Sequence, residues 1–482
     1  MSGKYKAVAS GAITNGKPVI VNSTGTVSVV TDALSQALGA NTTIGSTKAT
    51  KKGSAFDSNS DRVVIAYKND GNSDFGEAIV GTVNKANNTI SYGTAVVFES
   101  AVIQQSASVF DSNSNRIVIV YEDEGNSSHG TAIVGTVDPS DNSISFGTAV
   151  VFNSTGTTNL IDATFDSSNN KVVVVYRDVG NSNYGTAIVG AVDPSDNSIS
   201  FGSEAVFESA AVNYVQCTFD SSNNKVVIAY MDDANSDQGT AIVGTVDSSD
   251  NSISFGSAAI FNNAATNYIN ITFDSTANKV VFIYSDIGNS KYLTARVGTV
   301  SGTSIGSFGS EVVFQSQWAI AESNGTAFDA NASKVIVGFR NVSGNAALIG
   351  IGTVSGSSIS FATNVNLNGG NLGEAIASVF ASNRVVMAFT VGSAVGNSKV
   401  LQNVAPTTLT TENYIGIASG GTYPTAAEAT IDIVGTVNKD QSGLTAGQTY
   451  FVQTDGTLGT SADDPSVVAG TAISATELIV KG

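Results

Sequence analysis

The polar pattern that returns most regularly in this chain is a tyrosine followed two residues later by an aspartate. It occurs as Tyr121-Glu-Asp123, Tyr176-Arg-Asp178, Tyr230-Met-Asp232 and Tyr284-Ser-Asp286, each leading into a turn that ends in Asn-Ser. Phenol and carboxylate groups set together can hold sugar hydroxyls or a hard cation, since carboxylate and carbonyl oxygens suit calcium. The plainer reading is that Asp, Gly, Asn and Ser are turn formers and that the tyrosine ends a buried strand. These eight residues are therefore candidate ligand contacts, with no metal and no cofactor assigned. The first repeat has Asn69 in place of the aspartate and the sixth has Asn341. Trp318, the single tryptophan, is a ninth candidate, because a lone aromatic in a connection can stack on a sugar ring.

Other chemistry is harder to find. One histidine, His129, and one cysteine, Cys217, leave no histidine–cysteine metal cluster, no internal disulfide and no ordinary catalytic triad. Cys217 reads as a buried free thiol. A propeller glycosidase needs paired carboxylates, and the sialidase type needs clustered arginines. Here Arg62, Arg116, Arg177, Arg296, Arg340 and Arg384 are scattered, with Arg62, Arg116 and Arg384 at equivalent turn sites. Turns such as Asp166-Ser-Ser-Asn-Asn170 are oxygen-rich but lack the Asp-x-Asp-x-Asp-Gly pattern of a calcium loop. The chain is expected not to be an enzyme. A net charge of −18 argues against nucleic acid, which needs a basic patch. No apolar run suits an export signal or a membrane span.

The elements that position these residues repeat. Phe-Asp-Ser stands at Phe56, Phe110, Phe165, Phe219 and Phe273, then Phe-Asp-Ala at Phe328 and Phe-Ala-Ser at Phe380, a recurrence every 52 to 55 residues. Such a period points to propeller blades. In the third repeat, Ala163 to Phe165 reads as a strand, 166–170 as a turn, Lys171 to Tyr176 as a buried β-branched strand, Gly185 to Val192 as a third strand and Ser198 to Phe207 as a fourth. With charged residues at only 13% and 49 glycines, an all-β chain of short strands is expected.

The seventh repeat lacks its fourth strand, whereas the segment before the first repeat sets Leu38-Gly39 against Tyr92-Gly93 and Thr42-Thr43-Ile44 against Val96-Val97-Phe98. Residues 35–46 are thus read as the outer strand of the last blade, closing a seven-bladed propeller over 35–405 and removing its open edges. Outside it, Gly16 to Val27 and Gly447 to Leu458 align without gaps as two hairpins. Residues 1–34 and 406–482 are read as one small β-domain into which the propeller is inserted.

The repeat Phe-Asp-Ser-Ser-Asn-Asn-Lys-Val-Val, with Asp-Val-Gly-Asn-Ser, Gly-Thr-Ala-Ile-Val-Gly-Thr-Val and the later Ser-Gly-Leu-Thr-Ala-Gly-Gln-Thr-Tyr-Phe-Val-Gln-Thr-Asp-Gly-Thr-Leu, resembles repeat-bearing virion surface proteins of marine tailed bacteriophages. The resemblance covers nearly the whole chain. It implies a tail-fibre or decoration protein on the virion surface, assembled in the host cytoplasm and meeting a host-surface glycan, with no catalytic motif. Other virion proteins are expected to bind through the terminal β-domain, which is also expected to hold a homo-oligomer together. An adhesive or filament-forming cell-surface protein is the alternative, and a propeller glycosidase the third.

Overall fold

A computed structural model of the chain describes residues 3–30, 35–45, 48–85, 87–321, 325–344, 346–368, 377–390, 395–404, 409–453, 456–462 and 465–481. Among them are strands and three single-turn 3-10 segments, with no α-helix. The chain divides into a unit of Met1–Gln36 with Asn403–Gly482 and a unit of Ala37–Gln402. The expected junctions touch residues 34, 405 and 406, which lie outside the described residues.

In the larger unit each repeat folds as an antiparallel sheet. In the third, the inner strand Thr158–Asp166 pairs with Lys171–Asp178, which pairs with Tyr184–Asp193. The first turn is closed by Asp166, whose Oδ1 accepts the backbone N–H groups of Ser168 and Asn169 at 2.9 and 3.0 Å. Its oxygens are used within the turn, as an Asx turn requires.

The expected fourth strand is corrected by the structure. Ser198–Phe201 pairs with the end of the third strand, and the chain leaves the ladder at 202–204. Ala205–Asp220 then pairs with the start of the third strand and runs on as the inner strand of the next sheet. The break has a steric cause: Gly202 N donates to Val189 O at 2.9 Å, and a Cβ on Gly202 would collide with Asn251 O in the following repeat. Splitting the rim into short pieces also denies other chains a long edge to pair with.

Each sheet buries both faces, which is why its second strand shows no polar alternation. Val172, Val174 and Tyr176 pack against the second repeat, while Val173 and Val175 pack against the fourth. Ile44, Ala49, Ile65 and Tyr67 share a core with Ala388 and Val400 of the seventh repeat. There Thr42–Ile44 pairs with 396–398, the place that Val96–Glu99 takes on Phe75–Asn84. The inner strands of successive repeats touch, and Ala377–Ala381 touches both Thr326–Asp329 and Ala49–Asp57. The fold is all-β and propeller-like.

In the smaller unit, Lys4–Val8, Pro18–Val21 and Val27–Val29 join Tyr414–Ala418 and Glu428–Asp432 in one sheet. Val437–Asn438, Thr449–Val452, Leu458–Gly459, Val467–Ala472 and Leu478–Val480 form a second. The two expected hairpins are present as Pro18–Val21 with Val27–Val29 and Thr449–Val452 with Leu458–Gly459. Residues 454 and 455 of the second turn lie outside the described residues. Ile20 and Ile417 pack in one core with Tyr450, Val452 and Leu478, so neither sheet buries its apolar face alone.

Candidate functional site

The tyrosine–aspartate pairs do not form a ring of free carboxylates. Tyr121, Tyr176, Tyr230 and Tyr284 are fully buried, and Asp123, Asp178, Asp232 and Asp286 are buried as well. Each aspartate ends its strand, and three of them cap their own turn: Asp123 Oδ1 accepts Asn126 N at 3.1 Å, Asp178 Oδ1 accepts Asn181 N at 3.2 Å and Asp232 Oδ1 accepts Ala234 N at 3.1 Å. Asp286 Oδ1 accepts the Asn262 amide at 3.4 Å. None of these bonds joins one aspartate of the set to another.

Three of the four phenols are occupied too. Tyr121 donates to Glu99 at 3.0 Å, Tyr176 to Glu204 at 2.8 Å and Tyr230 to Glu208 at 3.1 Å. Burial, then the neighbouring glutamate, pushes each phenol far above its ordinary range, so all stay protonated donors. Burial and the charge of Glu99 also raise the Asp123 carboxyl. The glutamates were missed in the sequence because they sit around the outer strands, distant along the chain from the tyrosines that they meet. The signal was a Phe-Glu pair at Phe98-Glu99 and Phe207-Glu208.

This arrangement predicts a small calcium response from these turns. Millimolar calcium should move the melting temperature of the wild type and of the combined Asp123→Asn, Asp178→Asn, Asp232→Asn, Asp286→Asn variant by the same amount, one matched by sodium chloride of equal ionic strength. A calcium shift of several degrees present only in the wild type would make this face a cation site. Asp123→Ala, Asp178→Ala and Asp232→Ala, which delete the cap, should each cost about 1 kcal/mol.

The seams between sheets carry the most regular polar geometry. Arg62 donates Nε to Asn142 Oδ1 at 2.6 Å and Nη2 to Pro139 O at 2.7 Å, both in the next repeat. Arg116 makes the same pair of bonds to Asn197 and Pro194, at 2.5 and 2.7 Å. Arg384, in the seventh repeat, reaches Asn88 Oδ1 at 2.7 Å and Lys85 O at 3.0 Å in the first. A Cβ on Gly93, Gly147 or Gly202 would strike the carbonyl of Asn142, Asn197 or Asn251, and a Cβ on Gly39 would strike that of Asn88. These asparagines hold φ between 56° and 58°, a left-handed conformation that asparagine tolerates better than most residues. The arginines at equivalent turn sites are thus clamps, not parts of a pocket.

Trp318 is 40% exposed, lies on the strand Val312–Ile320 and carries the Lys291 ammonium 4.8 Å from its ring centroid. Lys291 belongs to the turn after Asp286, to whose carbonyl its N–H donates at 2.8 Å. Of the nine candidates, Trp318 alone presents a large surface to solvent. The inner strands of the repeats line a cavity of about 330 Å³ that includes Asp162 and Cys217. Asp162 was not singled out from the sequence. Its signal was a carboxylate three residues before the repeat phenylalanine, where the fourth and fifth repeats have Gln216 and Asn270 and the others Gly53, Ala107, Gly325 and Ala377.

No protein-family model matches the chain, and no curated protein matches it. Among solved structures, it is similar to the periplasmic gluconolactonase PpgL of Pseudomonas aeruginosa, with 10% identity and a TM-score of 0.50 over 84% of this chain and 100% of that one. It is also similar to a protein of unknown function from Dyadobacter fermentans, with 12% identity and a TM-score of 0.44 over 76% of this chain and 99% of that one. At these identities the likeness to the Pseudomonas protein speaks to fold alone, and it supports an all-β, propeller-like arrangement.

Proposed function

We propose that the chain is a non-enzymatic virion surface protein of a bacteriophage, a rigid propeller displayed outward and attached through its terminal β-unit. In this reading the seven sheets close into a ring. The carrying observation is that the Arg384 clamp and the Gly39 contact repeat, between the seventh and first repeats, the seam chemistry of Arg62 and Gly93. Polar groups repeated for packing favour a scaffold over a catalyst, because catalysis needs one singular cluster and three of the four repeated aspartates are used as turn caps. The virion setting rests on the resemblance of the repeat.

Attachment is assigned to the terminal unit, where Tyr5, Val8, Val434 and Ile473 are between 45% and 63% exposed. Trp318 is the contact offered to a host-surface glycan. Immunogold labelling of purified particles should place the chain on their surface, and gold confined to cell envelopes or filaments would instead favour the adhesive reading. Light scattering should show the full chain as an oligomer and residues 35–405 as a monomer; equal oligomers would remove the terminal unit from that role. Trp318→Ala should lower binding of labelled protein to host cells with little change in melting temperature.

A further inference from the structure

The axial cavity stands apart from everything the scaffold reading uses. At about 330 Å³ it is at the lower end of volumes that hold small-molecule ligands. Its wall is mostly polar, with hydroxyls from Ser54, Ser108, Thr326 and Ser378 and amides from Gln216 and Asn270; Ser378 already donates to Gly325 O, Gln216 to Val215 O and Asn270 to Ala321 O. Structural polar groups normally find partners inside the protein. Yet Ser108 Oγ and Thr326 Oγ1, both shielded from solvent, have no hydrogen-bond partner there.

One carboxylate joins this wall. Asp162 is 5% exposed; its Oδ2 accepts Cys217 N at 2.8 Å, and the Ala163 N–H and the Cys217 thiol also bond to it. Burial is the larger influence and pushes the carboxyl up to about 7. Among the described residues that line the cavity or bear on this carboxyl, Cys217 is the only other titratable one, and burial and Asp162 hold its thiol well above its ordinary value. Once ionised, this carboxyl is a single negative charge with no cation beside it, in a wall that carries hydroxyls from several repeats, and it suits a ligand with one positive charge, N–H donors and hydroxyls of its own.

We propose that this cavity is a binding site for a small hydroxylated primary ammonium compound, of the amino-alcohol or amino-polyol class, whose ammonium pairs with Asp162. Charge and hydrogen bonds select it together. A divalent ion would bring more charge than one carboxylate matches, and a bare monovalent ion would leave much of the volume unfilled. The site does not depend on where the protein resides, so it stands or falls separately from the virion reading.

The test is calorimetric titration of the full chain with 1-amino-1-deoxyglucitol, with sorbitol as the uncharged analogue and tetramethylammonium as a cation without N–H groups. Saturable binding of the amine is expected, with both analogues at least tenfold weaker, by the loss of a charged hydrogen-bond partner. Asp162→Asn should bind the amine at least tenfold more weakly. Because that variant disturbs a buried group, the wild type carries its own check: affinity should rise about tenfold from pH 6 to pH 8 as the carboxyl ionises. Without ligand, the folded state holds this proton more tightly than the unfolded chain does. Stability should therefore fall as pH rises from the ordinary 3.8 through about 7. No binding of the amine, equal binding of sorbitol or a flat pH profile would each overturn the assignment.

Discussion

A chain that begins at residue 47 is expected to lose most of its stability. The deletion removes Ile44, which is fully buried against Ala49 and Val400, and the pairing of 42–44 with 396–398. It also removes Lys4–Val8, Pro18–Val21 and Val27–Val29 from a sheet of the terminal unit. Burying one such side chain contributes about 1.5–3 kcal/mol, and a typical domain has only about 5–15 kcal/mol in all. Exposing the cores of both units is therefore expected to abolish a sharp thermal transition, as followed by circular dichroism and limited proteolysis. Ile44→Asp in the full chain isolates the larger unit. A charge forced into that core should cost about 4 kcal/mol or more, lowering one transition and leaving that of the terminal unit in place. A truncated chain that melts like the full one would show that this strand has no role in holding the larger unit together.

The second large effect is expected at Arg384. Arg384 is 7% exposed, and its guanidinium donates to Asn88 Oδ1, Asn383 O and Lys85 O between 2.7 and 3.0 Å. Burial lowers its pKa from the ordinary guanidinium value, though an arginine stays charged throughout the usual range. Arg384→Ala leaves the buried Asn88 Oδ1 without that donor inside the seam, at about 1–3 kcal/mol, whereas water can reach the carbonyl of the exposed Lys85. Arg384→Lys should recover little, since a point charge cannot reproduce the planar fork. Arg62→Ala removes the equivalent clamp at a more open seam, and about 1 kcal/mol is expected there because water can replace the lost donor. Denaturant unfolding of the three variants makes the comparison. If Arg384→Ala costs no more than Arg62→Ala, the seam between the seventh and first repeats is not specially dependent on its clamp.

Much of the strand pattern was open to a reading of residues in order. The β-branched run at Lys171 to Tyr176 and the Asp-Ser-Ser-Asn-Asn turn before it are local signals, and local signals survive folding when each unit is copied beside its like. The alignment of Leu38-Gly39 with Tyr92-Gly93 is of the same kind, and Gly39 N and Gly93 N donate alike, to Val400 O at 2.9 Å and Val80 O at 3.0 Å. The fourth strand was misread because Ser198 to Phe207 is continuous in propensity. Its break at 202–204 is imposed by a carbonyl about fifty residues further along the chain.

By itself, the sequence determined the period, the short strands and turns, and the equivalence of Arg62, Arg116 and Arg384, because each depends on neighbours along the chain or on repetition. Tertiary structure alone decided which polar groups are free. Tyr121 and Asp123 have the composition of a binding loop, yet Glu99 from an outer strand and the backbone of their own turn occupy them. Asp162 looks like one more strand residue, yet the meeting of inner strands places it on a cavity wall with Cys217 and hydroxyls from other repeats. Burial and partnership are set by what arrives from elsewhere in the chain, and the spacing of residues within one repeat carries no record of that.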